Sequence, residues 1–499
     1  MPSSLNTAGL NAAAMSRLLG AWNTGAAPAY RELADVVRLL ILDGRLPLET
    51  AVPSERALSE ALGISRTTVT AAYASLREQG FLSSGQGSRG RTRIPELTPS
   101  GPALLGPAPP RGLQSMTAPG LAAPEGLIDL AYSALPASGE VVHRAFAAAL
   151  TELPALLPGF GYDAIGLLPL REAIADRYTA EGVPTHPGQI MVTSGAQHAL
   201  TIVIRTLADR QDRVLVEHPS YPNALDAIRA ARCRPVPVAF AAAGWDLPAL
   251  EATLAQQRPR MAYVVPDFHN PTGMAMPDSQ RRRLARAAAA AGTVLVVDET
   301  LRDLNLDGVA TTPVAGFSSA VVTIGSLSKS HWGGLRTGWI RASEGMIQRF
   351  AAVRTTLDLG GPMMEQLAAA HLVRALEEPL PARLQALRDN RAALLELLRE
   401  HLPEWTTTRP AGGLSVWCRL PAPSSTALTV IAPDYGIRLA AGPRFGIGGA
   451  FERNLRLPFT LPPGQLEAAV LALRAAQDRL DAAPQLRRTL KNAPAVAIA

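Results

Sequence analysis

The sequence predicts two folded units. The first is a small N-terminal module of three short helices and a β-hairpin, and the second is a larger α/β body with a wound, largely parallel sheet and a smaller α+β lobe. Three observations support this division. Apolar residues recur at helical spacing within residues 29–80, and a segment with eight prolines follows at 95–124. Beyond it, apolar strand-like runs alternate with helical stretches, which is typical of a parallel sheet covered by helices.

The composition fits a globular protein with more than one core. The chain has 499 residues, of which 47% are hydrophobic and 18% charged, and its formal net charge is +6. A chain of this length is expected to form two or three domains, and its weakly basic balance permits an anionic partner. Cys233 and Cys418 provide neither a disulfide framework nor a metal cluster. We expect a cytoplasmic protein without a membrane span, because no secretory signal and no long apolar stretch is apparent.

The N-terminal module is predicted over residues 27–94, after a first segment with few structural signals. Helices are expected at 29–45, 54–63 and 65–80, because apolar residues recur there and Ser, Asp-Gly and Gly residues stand at the ends. A segment rich in Gly, Ser and Arg within 81–94 predicts a β-hairpin. Three short helices followed by a hairpin form a compact unit.

The third helix begins with a polar cluster made of Ser65, Arg66, Thr67 and Thr68. Side chains at such a helix start can face base edges or phosphates of DNA, and Arg66 can donate two hydrogen bonds to guanine. Arginines in the hairpin, Arg89 among them, would lie near the DNA backbone or the minor groove. A capped helix in an ordinary bundle explains each feature taken singly, but their combination favours DNA binding.

This module closely resembles the winged helix-turn-helix of the GntR family over about residues 29–94. The resemblance implies that double-stranded DNA is contacted by Arg56, in the Pro-Ser-Glu-Arg segment, and by the polar cluster. At Ala51-Val52 the sequence departs from the family, which often has an arginine and a leucine there. This departure removes one possible phosphate contact and leaves the expected fold unchanged.

The rest of the chain is divided into a semi-rigid proline-rich linker at 95–126, a body at 127–482 and a tail at 483–499. The body's strands are predicted at 190–193, 213–216, 261–265, 293–297 and 321–324. Its helices are predicted at 196–207, 222–231 and 279–291. In the C-terminal lobe, helices are expected at 382–402 and 463–480, around strands at 413–419 and 454–458.

Lysine is almost absent from the chain, since Lys329 and Lys491 are the only lysines among its 48 lysines and arginines. Arginine can replace lysine as a surface charge, but it cannot form an imine because the guanidinium stays protonated. Lys329 follows an apolar strand and lies next to small hydroxyl residues. Composition alone leaves an imine-forming lysine and an ordinary surface lysine equally open. The surrounding residues favour the imine, and therefore pyridoxal phosphate.

A phosphate group has candidate partners on both sides of this lysine. The turn that leads into the helix at Ala196 and Gln197 can hold an anion through backbone N–H groups and the helix dipole. Ser326, Ser328 and Arg336 can neutralise the same anion. Glycine-containing turns of this kind are common, so the turn is a weak signal taken alone.

The cofactor's ring also has candidate partners. Tyr221 can stack on the ring face, although a packing role explains it equally well when it is taken alone. Asn270, in an Asn-Pro-Thr-Gly turn after a strand, can donate to the ring oxygen. Asp298 ends an apolar strand, which places its carboxylate at the sheet edge where α/β sites lie, and there it can keep the ring nitrogen protonated.

In this order the motifs resemble the class I/II aminotransferases of fold type I, over about residues 127–480. The resemblance implies a Schiff base on Lys329 and a clamp for the substrate α-carboxylate at Arg456. It also implies a homodimer, in which the segment around Tyr162 reaches the partner's site. The family usually has a tyrosine shortly after the ring-nitrogen aspartate, and 299–301 contain none. We therefore expect weak or partial transamination.

A GntR-type module joined to an aminotransferase-like body resembles the MocR family of bacterial regulators. This resemblance implies a transcription regulator that binds a DNA operator and senses a small amino compound or vitamer through its pyridoxal phosphate. An active amino acid aminotransferase that carries a DNA-binding module is the alternative. A repressor whose aminotransferase-like body is vestigial is a third possibility.

Overall fold

The computed structural model describes residues 10–483, with gaps at 21, 24–27, 43–45, 47–49, 84–89, 94–126, 242–243 and 377. The predicted linker, Arg89 and nearly all of the predicted tail lie outside the described residues. The described part of the chain comprises an N-terminal helical module and an α/β body with two lobes. None of its helices is long and apolar enough to cross a membrane.

The N-terminal module contains, in its described part, the helices α1 (Ala12–Leu19), α2 (Ala29–Leu42), α3 (Glu55–Leu62) and α4 (Arg66–Glu78). The last three correspond to the predicted helices. Helix α1 is a correction, since the first segment was expected to carry few structural signals. Asn11 caps α1 by accepting a hydrogen bond from the Ala14 amide, and Met15 and Leu19 are buried in the module's core.

The predicted caps explain where α3 and α4 begin and end. Ser54 accepts from the Ala57 amide at 3.3 Å, and Ser65 accepts from the Thr68 amide at 3.1 Å. Gly63 ends α3 in the left-handed conformation (φ +65°), which glycine adopts without steric cost. A single β-bridge between Leu82 and Thr92 lies where the hairpin was predicted, whereas Arg91 of the same segment bridges to Ala51, outside the predicted hairpin.

The body begins with β1 (Ile128–Asp129), which pairs in parallel with a strand of the C-terminal lobe. The large sheet then contains, among the described residues, β2 (Ile190–Thr193), β3 (Arg213–His218), β4 (Arg234–Ala241), β5 (Gly244–Trp245), β6 (Met261–Val264), β7 (Val294–Asp298), β8 (Val322–Ser326) and β9 (Gly338–Arg341). Their spatial order is β2-β9-β8-β7-β6-β3-β4-β5. Strands β4, β3, β6, β7 and β8 are parallel, whereas β9 is antiparallel to both of its neighbours. The predicted wound, largely parallel sheet is confirmed.

Helices cover both faces of the large sheet. They are α5 (Gly139–Glu152), α6 (Leu168–Ala180), α7 (Ala196–Leu207), α8 (Pro222–Ala230), α9 (Leu247–Gln257), α10 (Asp278–Ala291), α11 (Glu344–Arg354) and α12 (Met363–Arg374). Side chains of α7, α8 and α11 form one apolar core with the sheet, and side chains of α5, α6, α9, α10 and α12 form the other. Successive strand residues alternate between the two cores, as the pleat requires.

The C-terminal lobe is the predicted α+β unit. Its elements are α13 (Leu380–His401), β10 (Thr406–Thr407), β11 (Ser415–Arg419), α14 (Ser425–Ile431), β12 (Ile437–Arg438), β13 (Ala440–Ala441), β14 (Asn454–Pro458) and α15 (Pro463–Ala482). Strands β10, β11, β14 and β13 form an antiparallel sheet in that order, and β12 pairs with β1. This unit is called the small lobe below.

The N-terminal module packs against the small lobe through buried charges. Arg38 of α2 donates to the Asp434 carboxylate at 2.7 Å and to the Val430 carbonyl at 3.3 Å. Arg479 of α15 pairs with Asp35 of α2 and, at 3.2 Å, with Asp434. Buried apolar side chains of the module and of the lobe belong to one continuous cluster around these pairs. The ion pairs and the shared core together join α2 to the small lobe.

Candidate cofactor and effector site

A cavity of about 690 Å³ lies between the carboxyl edge of the large sheet and the small lobe. Strand β7 ends at Asp298, and β8 ends three residues before Lys329, so the parallel strands bring both side chains to one edge. The predicted site residues that line the cavity are Ala196, Gln197, Tyr221, Asn270, Asp298, Ser328, Lys329, Arg336 and Arg456. Residues from both lobes therefore face the same space.

Lys329 is a partly buried amine with an unusually low proton affinity. Its Nζ donates to the Ser133 carbonyl at 2.7 Å. Burial, helped by the Arg456 and Arg336 guanidiniums and opposed by the Asp298 carboxylate, lowers the pKa of Lys329 to about 8. A larger fraction of this amine is therefore uncharged at neutral pH than of an ordinary lysine, and the uncharged form is the nucleophile.

Asp298 is held between two hydrogen-bond donors at the end of β7. The Tyr263 hydroxyl donates to its Oδ2 at 2.6 Å, and the Thr300 amide donates to its Oδ1 at 2.9 Å. Burial raises the pKa of Asp298, while these hydrogen bonds act in the opposite direction. Tyr263, which lies on β6, was not among the predicted site residues. It shares the cavity face of the sheet with Asp298, and the sequence would indicate this only if β6 and β7 were known to be neighbours.

The start of α7 and Arg336 form a cradle for an anion. Gly195 has φ +91°, and a Cβ at this position would lie 2.6 Å from Arg336 Nη2, so a larger residue would fill the cradle. Arg336 Nη2 donates to the Ser194 carbonyl at 3.0 Å. Within the described residues no side chain caps α7, which leaves its first N–H groups and the positive end of its dipole directed at the cavity.

The two predicted serines occupy different environments. Ser328 lines the cavity, whereas Ser326 does not. The Ser326 hydroxyl donates to the Thr337 carbonyl at 3.0 Å and accepts from the Ser328 amide at 3.1 Å. Ser326 therefore fixes the backbone that precedes Lys329.

Polar groups along the cavity wall lack partners within the described chain. Asn270 Oδ1 and Gln197 Oε1 are buried without a hydrogen bond. Tyr221 is partly buried, and its hydroxyl accepts from Asn223 Nδ2 at 3.0 Å. Buried polar atoms without partners are costly, so they indicate a bound polar group. The amine, the carboxylate and the anion cradle together fit pyridoxal phosphate, and the Asn270 amide adds a hydrogen-bonding group to the same wall.

Arg456 supplies a cation from the opposite lobe. It lies on β14, with its guanidinium 5.0 Å from the centroid of the Phe445 ring, and it donates to the Ala131 carbonyl. Its Nε is buried and has no hydrogen-bond partner in the part of the chain that the structure describes. Burial lowers the pKa of Arg456 to about 10, so the side chain remains charged at neutral pH. A fixed guanidinium of this kind suits a carboxylate.

The predicted DNA-binding residues that the structure describes lie at the surface of the N-terminal module. The Arg66 side chain is 70% exposed, and Arg56 is also exposed and paired with Glu60. The Ser65 hydroxyl contacts the hydroxyls of Thr67 and Thr68 at 2.8 Å and 2.7 Å. The arginines are thus open to an approaching duplex, while the hydroxyls form the capped start of α4.

Two family models match the chain. The model described as "Bacterial regulatory proteins, gntR family" matches residues 29–91, and "Aminotransferase class I and II" matches residues 157–473. The second match covers more than half of the chain. The chain belongs to the class I and II aminotransferase family. Its N-terminal module is a GntR-type DNA-binding domain, and pyridoxal phosphate is the cofactor of its class I and II body.

Named relatives include both enzymes and regulators. The chain is 33% identical to the 2-aminoadipate transaminase of Thermus thermophilus over 59% of its own length and 75% of the enzyme's. It is 27% identical to the "Probable rhizopine catabolism regulatory protein MocR" of Rhizobium meliloti, with 76% of the chain and 79% of that protein aligned. The crystal structure of the Thermus thermophilus α-aminoadipate aminotransferase LysN with N-(5'-phosphopyridoxyl)-L-leucine is similar at a TM-score of 0.66 and 29% identity. That match covers 72% of this chain and 94% of LysN. The fused architecture places the chain with the MocR-like regulators of this family.

Proposed function

We propose that the chain is a transcription regulator whose GntR-type module binds an operator and whose body, loaded with pyridoxal phosphate, senses a small amino compound. One observation carries this proposal. The small lobe contributes Arg456 to the cavity and also holds α2 of the DNA-binding module through Arg38 and Arg479. The effector cavity and the DNA-binding module are therefore attached to the same lobe.

The division of the cavity between two lobes supports a coupling mechanism. Lys329 and Asp298 belong to the part of the body that is built on the large sheet, which is called the large domain below. Arg456 belongs to the small lobe. A ligand with an amine and a carboxylate would contact both sides and stabilise one relative position of the lobes. Because α2 is held by the small lobe, that position also sets the placement of the DNA-binding module. Differential binding of this kind is what allows an effector to change DNA affinity.

Each predicted site residue has a role in this proposal. When bound, the cofactor supplies an aldehyde for the Lys329 amine and an electron-withdrawing ring. Asp298 would hold a proton at the ring nitrogen, Asn270 would donate to the ring oxygen, and Tyr221 would stack on the ring. Arg336 would bind the phosphate, together with the remaining residues of the cradle, namely Ala196, Gln197 and Ser328. Ser326 would act indirectly, through its hydrogen bond to the Ser328 amide.

An amino acid aminotransferase with a DNA-binding module is the second candidate. The cofactor partners that line the cavity and the similarity to the Thermus thermophilus transaminase favour it. Against it, Thr300 lines the cavity where the family usually has a tyrosine, so a phenol next to the ring oxygen is absent at that position. We infer that any transamination is weak or partial.

We further infer that the protein is a homodimer in the bacterial cytoplasm. The large domain has a cluster of exposed apolar side chains at Leu157, Phe160 and Tyr162, and Phe160 is 97% exposed. Exposed apolar clusters of this kind mark interaction surfaces. A two-fold dimer would pair two DNA-binding modules with two half-sites of an operator.

The test compares DNA affinity with and without effector in the full-length chain loaded with cofactor. A duplex selected from a random pool serves as the operator, and a panel of amino acids serves as candidate effectors. In the unmodified chain, at least one amino acid should change DNA affinity several-fold. In Arg456→Ala this response should disappear, while cofactor absorbance and the affinity of the effector-free protein for DNA are retained. Sustained transamination without any change in DNA affinity would instead favour the enzyme.

A further inference from the structure

The charges that line the cavity exceed what cofactor and a simple amino acid require. Among the described lining residues, Lys329, Arg336, Arg444 and Arg456 are cationic, and Asp298 is the one carboxylate. In the proposed function, Lys329 binds the cofactor aldehyde, Arg336 binds the cofactor phosphate, and Arg456 binds the α-carboxylate of the effector. Arg444 has no partner in that scheme.

Arg444 is a mostly buried cation with a weak partner. Its side chain is 17% exposed, and its Nε is buried without a hydrogen bond to any of the described residues. Within the described chain, its one carboxylate neighbour inside 4.0 Å is Asp226 of α8, at 3.5 Å. Asp226 also accepts a hydrogen bond from Arg229 at 3.1 Å. A buried guanidinium is costly unless it is well paired, so this site is incompletely satisfied.

The position of Arg444 in the fold indicates that it lies on the side of the cavity that the small lobe provides, as Arg456 does. It lies in the 3-10 turn Gly442–Phe445 of the small lobe, directly before the ring on which Arg456 packs. The phosphate cradle is built from other elements, at the start of α7 and at Arg336. Because Arg444 comes from the small lobe, like Arg456, and directly precedes Phe445, we assign an anion at Arg444 to the effector and not to the cofactor phosphate.

We propose that Arg444 binds a second anionic group of the effector, which is then an amino acid with an acidic side chain. This proposal rests on the proposed function, because it requires an amino acid effector held by Arg456. The acidic side chain would replace Asp226 as the partner of Arg444. Because Asp226 belongs to the large domain and Arg444 to the small lobe, this exchange would also remove an ion pair between the lobes.

The experiment uses isosteric pairs of amino acids that differ in the charge of the distal group. L-glutamate is compared with L-glutamine, and L-aspartate with L-asparagine, by calorimetry on the full-length chain loaded with cofactor. The acidic member of at least one pair should bind about tenfold more tightly or better, and Arg444→Gln should abolish this preference. Asp226→Asn is the matched variant, and it should strengthen binding of the acidic member because the competing carboxylate is gone.

Several outcomes would overturn the proposal. It fails if no acidic member binds more tightly than its neutral partner, or if Arg444→Gln keeps the preference. It also fails if Arg444→Gln loses cofactor absorbance, because the residue would then serve the cofactor. If Arg444→Gln does not fold, the Asp226→Asn variant provides the test. The proposal is then wrong if Asp226→Asn binds the acidic amino acid no more tightly than the unmodified chain does. DNA affinity separates this failure from that of the proposed function. If a neutral amino acid changes DNA affinity and acidic amino acids do not, only the assignment of an acidic effector is wrong. If an acidic amino acid binds tightly without changing DNA affinity, only the proposal of a transcription regulator is wrong.

Discussion

Asp298 and Tyr263 illustrate which residues of this site can be predicted from the sequence and which cannot. Asp298 was predicted because it ends an apolar strand. Tyr263 was not, although side chains two residues apart on a strand share a face. Tyr263 is paired with Val296, two residues before Asp298, so both polar groups project from the same side of the sheet. Finding this pair from sequence requires knowing that β6 and β7 are neighbours, which periodicity within one strand does not give.

Tyr263→Phe should weaken cofactor binding. The substitution removes a 2.6 Å hydrogen bond to a buried carboxylate, and loss of such a bond costs about 1–3 kcal/mol. The Asp298 carboxylate would be less well stabilised, and its pairing with the ring nitrogen would weaken, so we expect cofactor affinity to fall about tenfold. Titration of the full-length chain with pyridoxal phosphate, followed by absorbance, measures this change.

Tyr178→Phe is the matched control for this prediction. Tyr178 is also a buried tyrosine, and it donates to the Glu299 carboxylate at 3.0 Å, but it does not line the cavity. Its substitution should lower thermal stability and leave cofactor affinity unchanged. Equal losses of cofactor affinity in the two variants would show that Tyr263 acts only through general stability.

At the scale of secondary structure elements, predictions succeeded where local signals are strong. Helix α7 has the predicted bounds, and α3 and α4 begin at their predicted serine caps. Helix α1 was missed because it is short and carries few apolar side chains beyond alanine, and because these side chains are buried against α2 and α3, later in the chain. Strand β9 was not predicted either. It has four residues, and its place between β2 and β8 depends on contacts distant in sequence.

Helix α4 provides a test of DNA recognition. Arg66→Ala should lower affinity for the selected duplex by about 1–3 kcal/mol if this side chain contacts a base, and it should relax specificity at one position. The folded module should be little affected, since Arg66 is 70% exposed and 4.0 Å from its nearest carboxylate, that of Glu55. Fluorescence anisotropy on matched and mismatched duplexes would measure both effects.

The control for this variant is Arg399→Ala, at an exposed arginine of α13 in the small lobe that is likewise close to a carboxylate. It should leave DNA affinity unchanged. If Arg66→Ala binds the selected duplex as the unmodified chain does, α4 does not contact bases through this residue.

At the scale of the whole molecule, the sequence predicted the two folded units but not how they contact each other. Asp35 and Arg38 fit the polar face of an amphipathic helix, and such faces usually meet solvent. Both are buried here, and Arg38 finds its partner Asp434 at a sequence separation of 396 residues. No local pattern reports a contact over that distance. The resemblance to known families indicated which units are present, and only the structure shows which surfaces join them.

This contact predicts a variant that separates sensing from DNA binding. Arg38→Met keeps a side chain of similar length and removes the hydrogen bonds to Asp434 and Val430 of the small lobe. It also removes the hydrogen bonds to Asp35 and Gln79 within the module. Arg479 still pairs with both carboxylates of the network, so neither is left without a cation. We expect cofactor and effector affinities to be unchanged, while the effector-induced change in DNA affinity shrinks several-fold.

Arg474→Ala is the control for this coupling variant. Arg474 lies on α15 like Arg479, but it pairs with Glu404 and Asp478 of the small lobe itself. Its substitution should preserve the full response of DNA affinity to effector. A response of normal size in Arg38→Met would mean that the buried network does not transmit the effector signal.

The contact also limits how these proteins can be recombined. A chimera in which the DNA-binding module is exchanged for that of a relative, with the junction in the proline-rich segment, would carry a foreign α2 surface. Asp434 and Arg479 would then face side chains that do not complement them. A working chimera must therefore inherit its second helix together with matching positions near the carboxyl end, although the two stretches lie at opposite ends of the gene.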